Sequence, residues 1–112
     1  MSEDFTFSMM IDSQLSETQL TGLLLTGLAD ASATGGYIEY RQNILKIERN
    51  SLYDASKASL KDDKAWMHYR YCVNAFPKGN TSLAEQRSVA SDVLAALGEA
   101  GINPEFVAEF EL

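Results

Sequence analysis

Alternation of apolar and polar side chains is most regular between Ala65 and Phe76. Because successive side chains of a strand point to opposite faces of a sheet, this pattern predicts a central strand. One predicted face is apolar and would join the core: Met67, Tyr69, Tyr71, Val73 and Ala75. The opposite face holds the chain's only Trp, His and Cys and would be partly buried: Trp66, His68, Arg70, Cys72 and Asn74.

Two other segments alternate in the same way and predict amphipathic strands near the ends of the chain. The first covers residues 5–11 and points Phe5, Phe7, Met9 and Ile11 to one side. The second covers residues 106–112, with inward positions at Phe106, Ala108, Phe110 and Leu112.

Two segments show the spacing of helices instead. Ser16 with Gln19, and Ser82 with Glu85, have the spacing of capping boxes, in which side chains satisfy free backbone N–H groups. Apolar stripes at helical spacing follow both boxes. The sequence therefore predicts helices near 16–31 and 82–100, and Gly22 and Gly27 in the first would allow close packing.

The segment 37–50 is strand-like, but its apolar positions change parity between Ile38 and Leu45. A turn or a bulge must lie between them, and Arg41-Gln42-Asn43 is the polar candidate. We favour a hairpin over one bulged strand. Residues 50–64 have only a thin apolar stripe and predict a long connection, which is often a functional feature.

The order of elements predicts a single α+β domain over residues 1–112. The pattern β-α-β-β-α-β is typical of a two-layer, ferredoxin-like sandwich, with two helices on one face of an antiparallel sheet and an added hairpin at 37–49. The predicted core contains Phe5 or Phe7, Leu24, Leu28, Tyr69, Tyr71, Val93, Leu97, Phe106 and Phe110.

Composition favours a soluble cytoplasmic protein. The N-terminal residues lack the pattern of a secretory signal, no apolar run is long enough to span a bilayer, and a single cysteine fits a reducing compartment. The formal net charge of −7 would repel nucleic-acid phosphates and anionic membranes. It favours a basic protein as the partner.

Candidate chemistry is sparse. His68 and Cys72 would lie about 13 Å apart along one strand, too far for a nucleophile and its base. No group of residues has the spacing of metal ligands, and Gly35-Gly36 follows a helix rather than preceding one, unlike a phosphate-binding turn. We therefore expect no catalysis, no metal and no cofactor. Trp66, His68 and Arg70 could stack on bases, but the net charge argues against nucleic-acid binding.

The segments IERNSLYD and AWMHYRYCV, followed by a capped helix and an acidic final strand, resemble small bacterial immunity proteins. The most particular residues are Asn50 and Asp54 in the first segment, and Trp66 with Tyr69-Arg70-Tyr71 in the second. The resemblance implies a non-enzymatic inhibitor that binds one toxin tightly, often a basic nuclease. Phage-encoded inhibitors of nucleic-acid machinery share this size and acidity.

A protein-binding module is the function that these observations favour. The partner is expected to meet an acidic surface with aromatic anchors, formed by Tyr53, Asp54, Asp62, Asp63, Trp66, His68 and Arg70. Its carboxylates would speed association and its aromatic side chains would slow dissociation. Two alternatives stay open: a small enzyme or ligand-binding domain that uses His68 and Arg70, and a homodimer joined through sheet edges or open faces.

Overall fold

The computed structural model describes residues 5–59 and 64–112. It is an α+β fold in which a six-stranded antiparallel sheet packs with three helices. The elements in chain order are β1 (Phe7–Ile11), α1 (Glu17–Gly27), β2 (Ser32–Thr34), β3 (Tyr37–Tyr40), β4 (Asn43–Arg49), α2 (Ala55–Ala58), a 3₁₀ helix (Ala65–His68), β5 (Tyr71–Pro77), α3 (Leu83–Glu99) and β6 (Glu105–Ala108).

The strand order in the sheet is β2-β3-β4-β5-β1-β6, and every neighbouring pair is antiparallel. Strand β1 lies between β5 and β6, with Phe7 opposite Ala75 on one side and Ala108 on the other. This six-stranded order differs from the prediction, which was a ferredoxin-like sheet with an extra hairpin at 37–49, because β2 adds a further strand beside β3.

The core lies between one face of the sheet and the helices α1 and α3. Tyr71 is 7% exposed and Leu97 is fully buried, as predicted. Other predicted core residues are also buried: Phe7, Leu24, Leu28 and Val93. Phe7 satisfies the prediction that Phe5 or Phe7 lies in the core. The predicted burial is too high for Tyr69, Phe106 and Phe110, which are only half-buried, although Phe106 and Phe110 pack against the core.

The opposite face of the sheet is more open. Direct cross-strand neighbours there include Glu48 with Cys72 and Cys72 with Met10, in the centre of the sheet. Phe76 on the same strand is 39% exposed. Met10 and Cys72 are only half-buried, and neither belongs to the buried core cluster.

The hairpin favoured for residues 37–49 is confirmed. Strands β3 and β4 pair from Ile38 opposite Leu45 to Tyr40 opposite Asn43. The two residues of the turn, Arg41 and Gln42, both have positive φ angles, 45° and 65°. Two-residue hairpins favour this backbone because its twist matches that of the strands. The parity change in the sequence therefore arises from a turn and not from a bulge.

The predicted strand over Ala65–Phe76 is wrong in its first part, since Ala65–His68 is a 3₁₀ helix and β5 begins at Tyr71. Trp66, His68 and Arg70 consequently do not share one strand face. The carbonyl groups of Met67 and Tyr69 accept hydrogen bonds from the side chain of Asn50, which holds this segment at the end of β4.

Three element boundaries also differ from the prediction. Helix α1 ends at Gly27 because Leu28 adopts an extended backbone and is buried there. Strand β2 follows within a segment that the sequence assigned to a loop. Strand β6 ends at Ala108, and Leu112, predicted to face the core, is 51% exposed.

Candidate functional site

The connection between β4 and β5 holds every described residue of the predicted binding surface. Asn50 organises its two ends. The backbone N–H of Asn50 donates to the Arg70 carbonyl at 2.9 Å, and its side-chain amide donates to the carbonyl groups of Met67 and Tyr69 at 2.9 and 2.8 Å. The Asn50 side-chain oxygen in turn accepts from the N–H of Leu52 at 3.1 Å. One side chain thus fixes both ends of the connection.

Tyr53 lies against two arginine side chains. The Arg70 guanidinium donates a hydrogen bond to the Tyr53 hydroxyl at 2.9 Å, and its central carbon is 5.0 Å from the centre of the ring. The guanidinium carbon of Arg49 is 5.7 Å from the same ring. Cations at such distances are attracted by the negative face of an aromatic ring. The hydrogen bond to Tyr53 is the main cause of a raised pKa at Arg70.

Asp54 caps the short helix α2. Its carboxylate accepts hydrogen bonds from the N–H groups of Ser56 and Lys57 at 3.0 and 3.3 Å and from the Ser56 hydroxyl at 2.7 Å. The hydroxyl bond is the largest cause of the lowered pKa of Asp54, followed by the bond from Lys57. This carboxylate has a local structural role, because side-chain oxygens at a helix start satisfy backbone donors.

His68 closes the connection from the other side. Its Nδ1 atom is 3.0 Å from the carbonyl oxygen of Leu52. A carbonyl oxygen only accepts hydrogen bonds, so Nδ1 carries the proton and donates. The backbone carbonyl of His68 also accepts from the N–H of Asp54 at 3.2 Å. The imidazole of His68 therefore links the end of the connection to its beginning at Leu52.

The structure brings Tyr53, Asp54, His68 and Arg70 into this hydrogen-bonded unit. Trp66 belongs to the same connection, where it is half-buried on the 3₁₀ helix. The other two predicted residues, Asp62 and Asp63, lie outside the described residues. The interaction network among the described residues is consequently built on arginine, tyrosine and amide groups, with one carboxylate engaged in a helix cap.

The sequence prediction missed two apolar residues of this connection. Leu52 is 55% exposed and Met67 is 37% exposed, and they are among the four large hydrophobic side chains that are most exposed. The carbonyl of Leu52 contacts the imidazole of His68, and His68 is the residue after Met67. The backbones of Leu52 and Met67 therefore lie in the same part of the connection. Leu52 belongs to the thin apolar stripe of residues 50–64, which was the available signal. Met67 was predicted to join the core, and that prediction is wrong because Met67 lies on the 3₁₀ helix. We call Arg49, Leu52, Tyr53, Met67 and Arg70 the connection surface.

Charge is also distributed unevenly along the chain. Residues 41–78 hold eight of the nine basic residues but only four of the sixteen acidic ones. The remaining segments therefore hold twelve acidic residues and one basic residue. The net charge of −7 conceals this separation, which a count by segment would have found. The connection surface belongs to the basic part.

Two clefts border α1, and neither is lined by His68 or Arg70. Within residues 5–59 and 64–112, no three His, Cys, Asp or Glu side chains converge as metal ligands. None of the helices in the described part of the chain combines enough length and apolar character to cross a bilayer. No protein-family model matches this chain, and neither a curated protein nor a solved structure shows significant similarity to it.

Proposed function

We propose that this protein is a non-enzymatic protein-binding module that neutralises a basic toxin, in the manner of a bacterial cytoplasmic immunity protein. The observation that carries the proposal is the exposure of Leu52 and Met67 on a connection held by hydrogen bonds. Binding energy at protein interfaces concentrates in a few aromatic, arginine and apolar side chains. A preorganised backbone lowers the entropic cost of binding them.

The overall acidity of the chain supports a cationic partner. The twelve acidic residues outside residues 41–78 would attract a cationic protein at long range. At the contact itself, Arg49 and Arg70 favour carboxylates on the partner. A toxin nuclease with a basic substrate-binding surface and acidic residues at its margin would match both features.

The test is protection of cells, combined with binding to the purified toxin. The toxin to be tested is the C-terminal domain of any large secreted protein that is encoded immediately upstream, produced together with this chain. We expect growth to be restored and a stoichiometric complex to form. Leu52→Asp with Met67→Asp should abolish both, because two carboxylates would replace the apolar contacts.

Leu112→Asp is the matched control, since Leu112 is about as exposed as Leu52 but is the last residue of the sequence and lies outside the connection between β4 and β5. It should protect cells fully. Trp66→Ala should mainly speed dissociation. Equal protection by the double variant and by Leu112→Asp would reject the connection surface. Absence of any complex or protection, with the wild-type chain self-associating in light scattering, would favour the homodimer instead.

We further propose that the fold is a ferredoxin-like arrangement extended by one hairpin. The support is the order β4-β5-β1-β6, in which α3 connects β5 to β6 across β1, and α1 with the β2-β3 extension lies in the chain between β1 and β4, which flank β5. That is the split β-α-β connection of the ferredoxin-like sandwich. Strands β2 and β3 would then be an addition at the edge next to β4.

A further inference from the structure

A cleft lies between the N-terminal half of α1 and the β2-β3-β4 end of the sheet. Its volume is about 150 Å³. Glu17 and Thr21, one turn apart on α1, form one wall. Ile38 and Leu45 form its buried floor. The half-buried side chains of Tyr37 and Ile47 contribute accessible apolar lining, and Ala33 on β2 borders the cleft at the sheet edge. Clefts for drug-sized ligands measure about 300–1,000 Å³, so this one has room for a single side chain.

Strand β2 forms the edge of the sheet beside this cleft. Its three residues, Ser32, Ala33 and Thr34, are all exposed, and none is charged or a proline. The opposite edge, β6, carries Glu105, with Glu109 just beyond its end. Charged side chains protect an edge strand from pairing with another chain. By this criterion β2 is the less protected edge.

The register connects the edge to the cleft. Ala33 lies opposite Ile38, and Ile38 lies opposite Leu45, so the three residues form a row on the helix-facing side. Directly opposite residues of neighbouring strands point to the same face. A residue of an added strand placed opposite Ala33 would therefore direct its side chain towards the cleft.

We propose that β2 binds an extended segment of a basic protein as a seventh strand, with one lysine side chain in the cleft. The apolar lining would contact the lysine methylene groups. The carboxylate of Glu17 would pair with the ammonium group, and no cation among the described residues pairs with it. Backbone hydrogen bonds supply affinity in this binding mode, and pockets for alternate side chains supply specificity.

Lysine fits this site better than the alternatives. An uncharged aliphatic side chain would gain no ion pair with Glu17, which is exposed and negatively charged, and a carboxylate would be repelled by it. A second copy of this chain would place the uncharged residues of its own β2 opposite Ala33 and would supply no ammonium group. This proposal concerns a surface separate from the connection surface and does not depend on the toxin hypothesis.

The probe is the capped peptide Thr-Val-Lys-Val-Thr, titrated into the ¹⁵N-labelled protein. We expect saturable shifts of the amide signals of Ala33, Gly35 and Gly36, which line the cleft. Norleucine in place of lysine keeps the methylene groups and removes the charge. It should weaken binding by about three- to fivefold, the effect of one partly exposed ion pair.

Glu17→Gln should weaken binding of the lysine peptide but not of the norleucine peptide, so that the two affinities become equal. Glu99→Gln, the same change at the end of α3, should leave the difference in affinity intact. Methylation of the backbone nitrogens tests the added strand. In an added strand, every second peptide N–H points towards β2 and the others point to solvent. N-methylation of the first set should abolish binding, and N-methylation of the second set should preserve it.

Equal affinities for the lysine and norleucine peptides would contradict the proposed ion pair between the lysine and Glu17. No saturable shift, or equal tolerance of both methylated sets, would overturn strand addition. Shifts at β2 that depend on protein concentration without peptide would assign this edge to a second copy of the chain and reject the proposal.

Discussion

Asn43 and Gln86 exchange two hydrogen bonds inside the core, although 43 residues separate them in the chain. The Asn43 amide donates to Gln86 at 3.1 Å, and the Gln86 amide donates to Asn43 at 2.8 Å. Gln86 also donates to the carbonyl of Phe5 at 2.9 Å, and Asn43 to that of Arg41 at 3.2 Å. The pair therefore joins α3, the β3–β4 turn and the segment before β1.

Gln86→Met should lower the free energy of unfolding by about 1–3 kcal/mol, because it leaves the buried amide of Asn43 without its partner. Urea denaturation measures the loss. Combining Gln86→Met with Asn43→Leu removes both partners and should cost less than the sum of the single changes. Strictly additive losses would show that the two amides are not coupled.

Two glycines of α1 should respond oppositely to the same substitution. A Cβ atom on Gly27 would lie 2.8 Å from the Cβ of Ala96 on α3, whereas one on Gly22 would meet nothing within 4 Å. Gly27→Ala should therefore destabilise the protein by about 1–3 kcal/mol through overpacking. Gly22→Ala should stabilise it by up to roughly 1 kcal/mol, the helix propensity difference. Equal shifts of the urea midpoint would contradict this close helix packing.

The cap of α2 should fail in acid. The pKa of Asp54 is below its ordinary value of 3.8, so its contribution is complete above that value and is lost as the pH falls through the lowered pKa. Hydrogen exchange at the N–H groups of Ser56 and Lys57 should accelerate in this range. Asp54→Asn should exchange at a rate less sensitive to pH there, since an amide side chain caps without ionising. Identical pH profiles would assign the protection to another group.

Cys72 should react slowly with iodoacetamide at pH 7. Burial is the main cause that raises the pKa of its thiol above the ordinary 9.0, and the charge of Glu48 contributes. Less thiolate is then present at neutral pH, and the thiolate is the reactive form. Glu48→Gln should lower the pKa and speed the reaction. A rate above that of a small free thiol, or an unchanged rate in Glu48→Gln, would contradict this assignment.

The sequence predicted those parts of the fold that local chemistry determines. Ser16 and Ser82 cap α1 and α3 as their spacing indicated, because an N-cap involves only residues three apart. The reciprocal bond of a capping box is present at α1, whereas the Glu85 carboxylate accepts from Arg41. The strand predicted over residues 65–70 was wrong because its backbone is held by Asn50, a contact with no signature in apolar periodicity. Strand β2 was missed because its three exposed residues show no alternation.

In the candidate site, too, residue types could be predicted from the sequence, whereas contacts between distant residues could not. Tyr53 and Arg70 could be selected from the sequence as aromatic and cationic residues near one connection. Their direct hydrogen bond could not be predicted, since it requires the connection to fold back on itself between β4 and β5. The role of Asp54 as a helix cap was partly visible from its position before a short helical segment, but its carboxylate was assigned to the partner instead.

The position of β1 between β5 and β6 has a consequence for synthesis of the chain. Phe7 finds its two partners only at Ala75 and Ala108, so β1 leaves the ribosome long before either neighbour exists. The meander β2-β3-β4 needs only local turns and can form first. Until β5 and β6 emerge, both hydrogen-bonding edges of β1 are open to other nascent chains. The fold is therefore completed only when the contacts of β1 with β5 and β6 form. Slowed translation of the last third of the chain would prolong the time during which the edges of β1 are exposed.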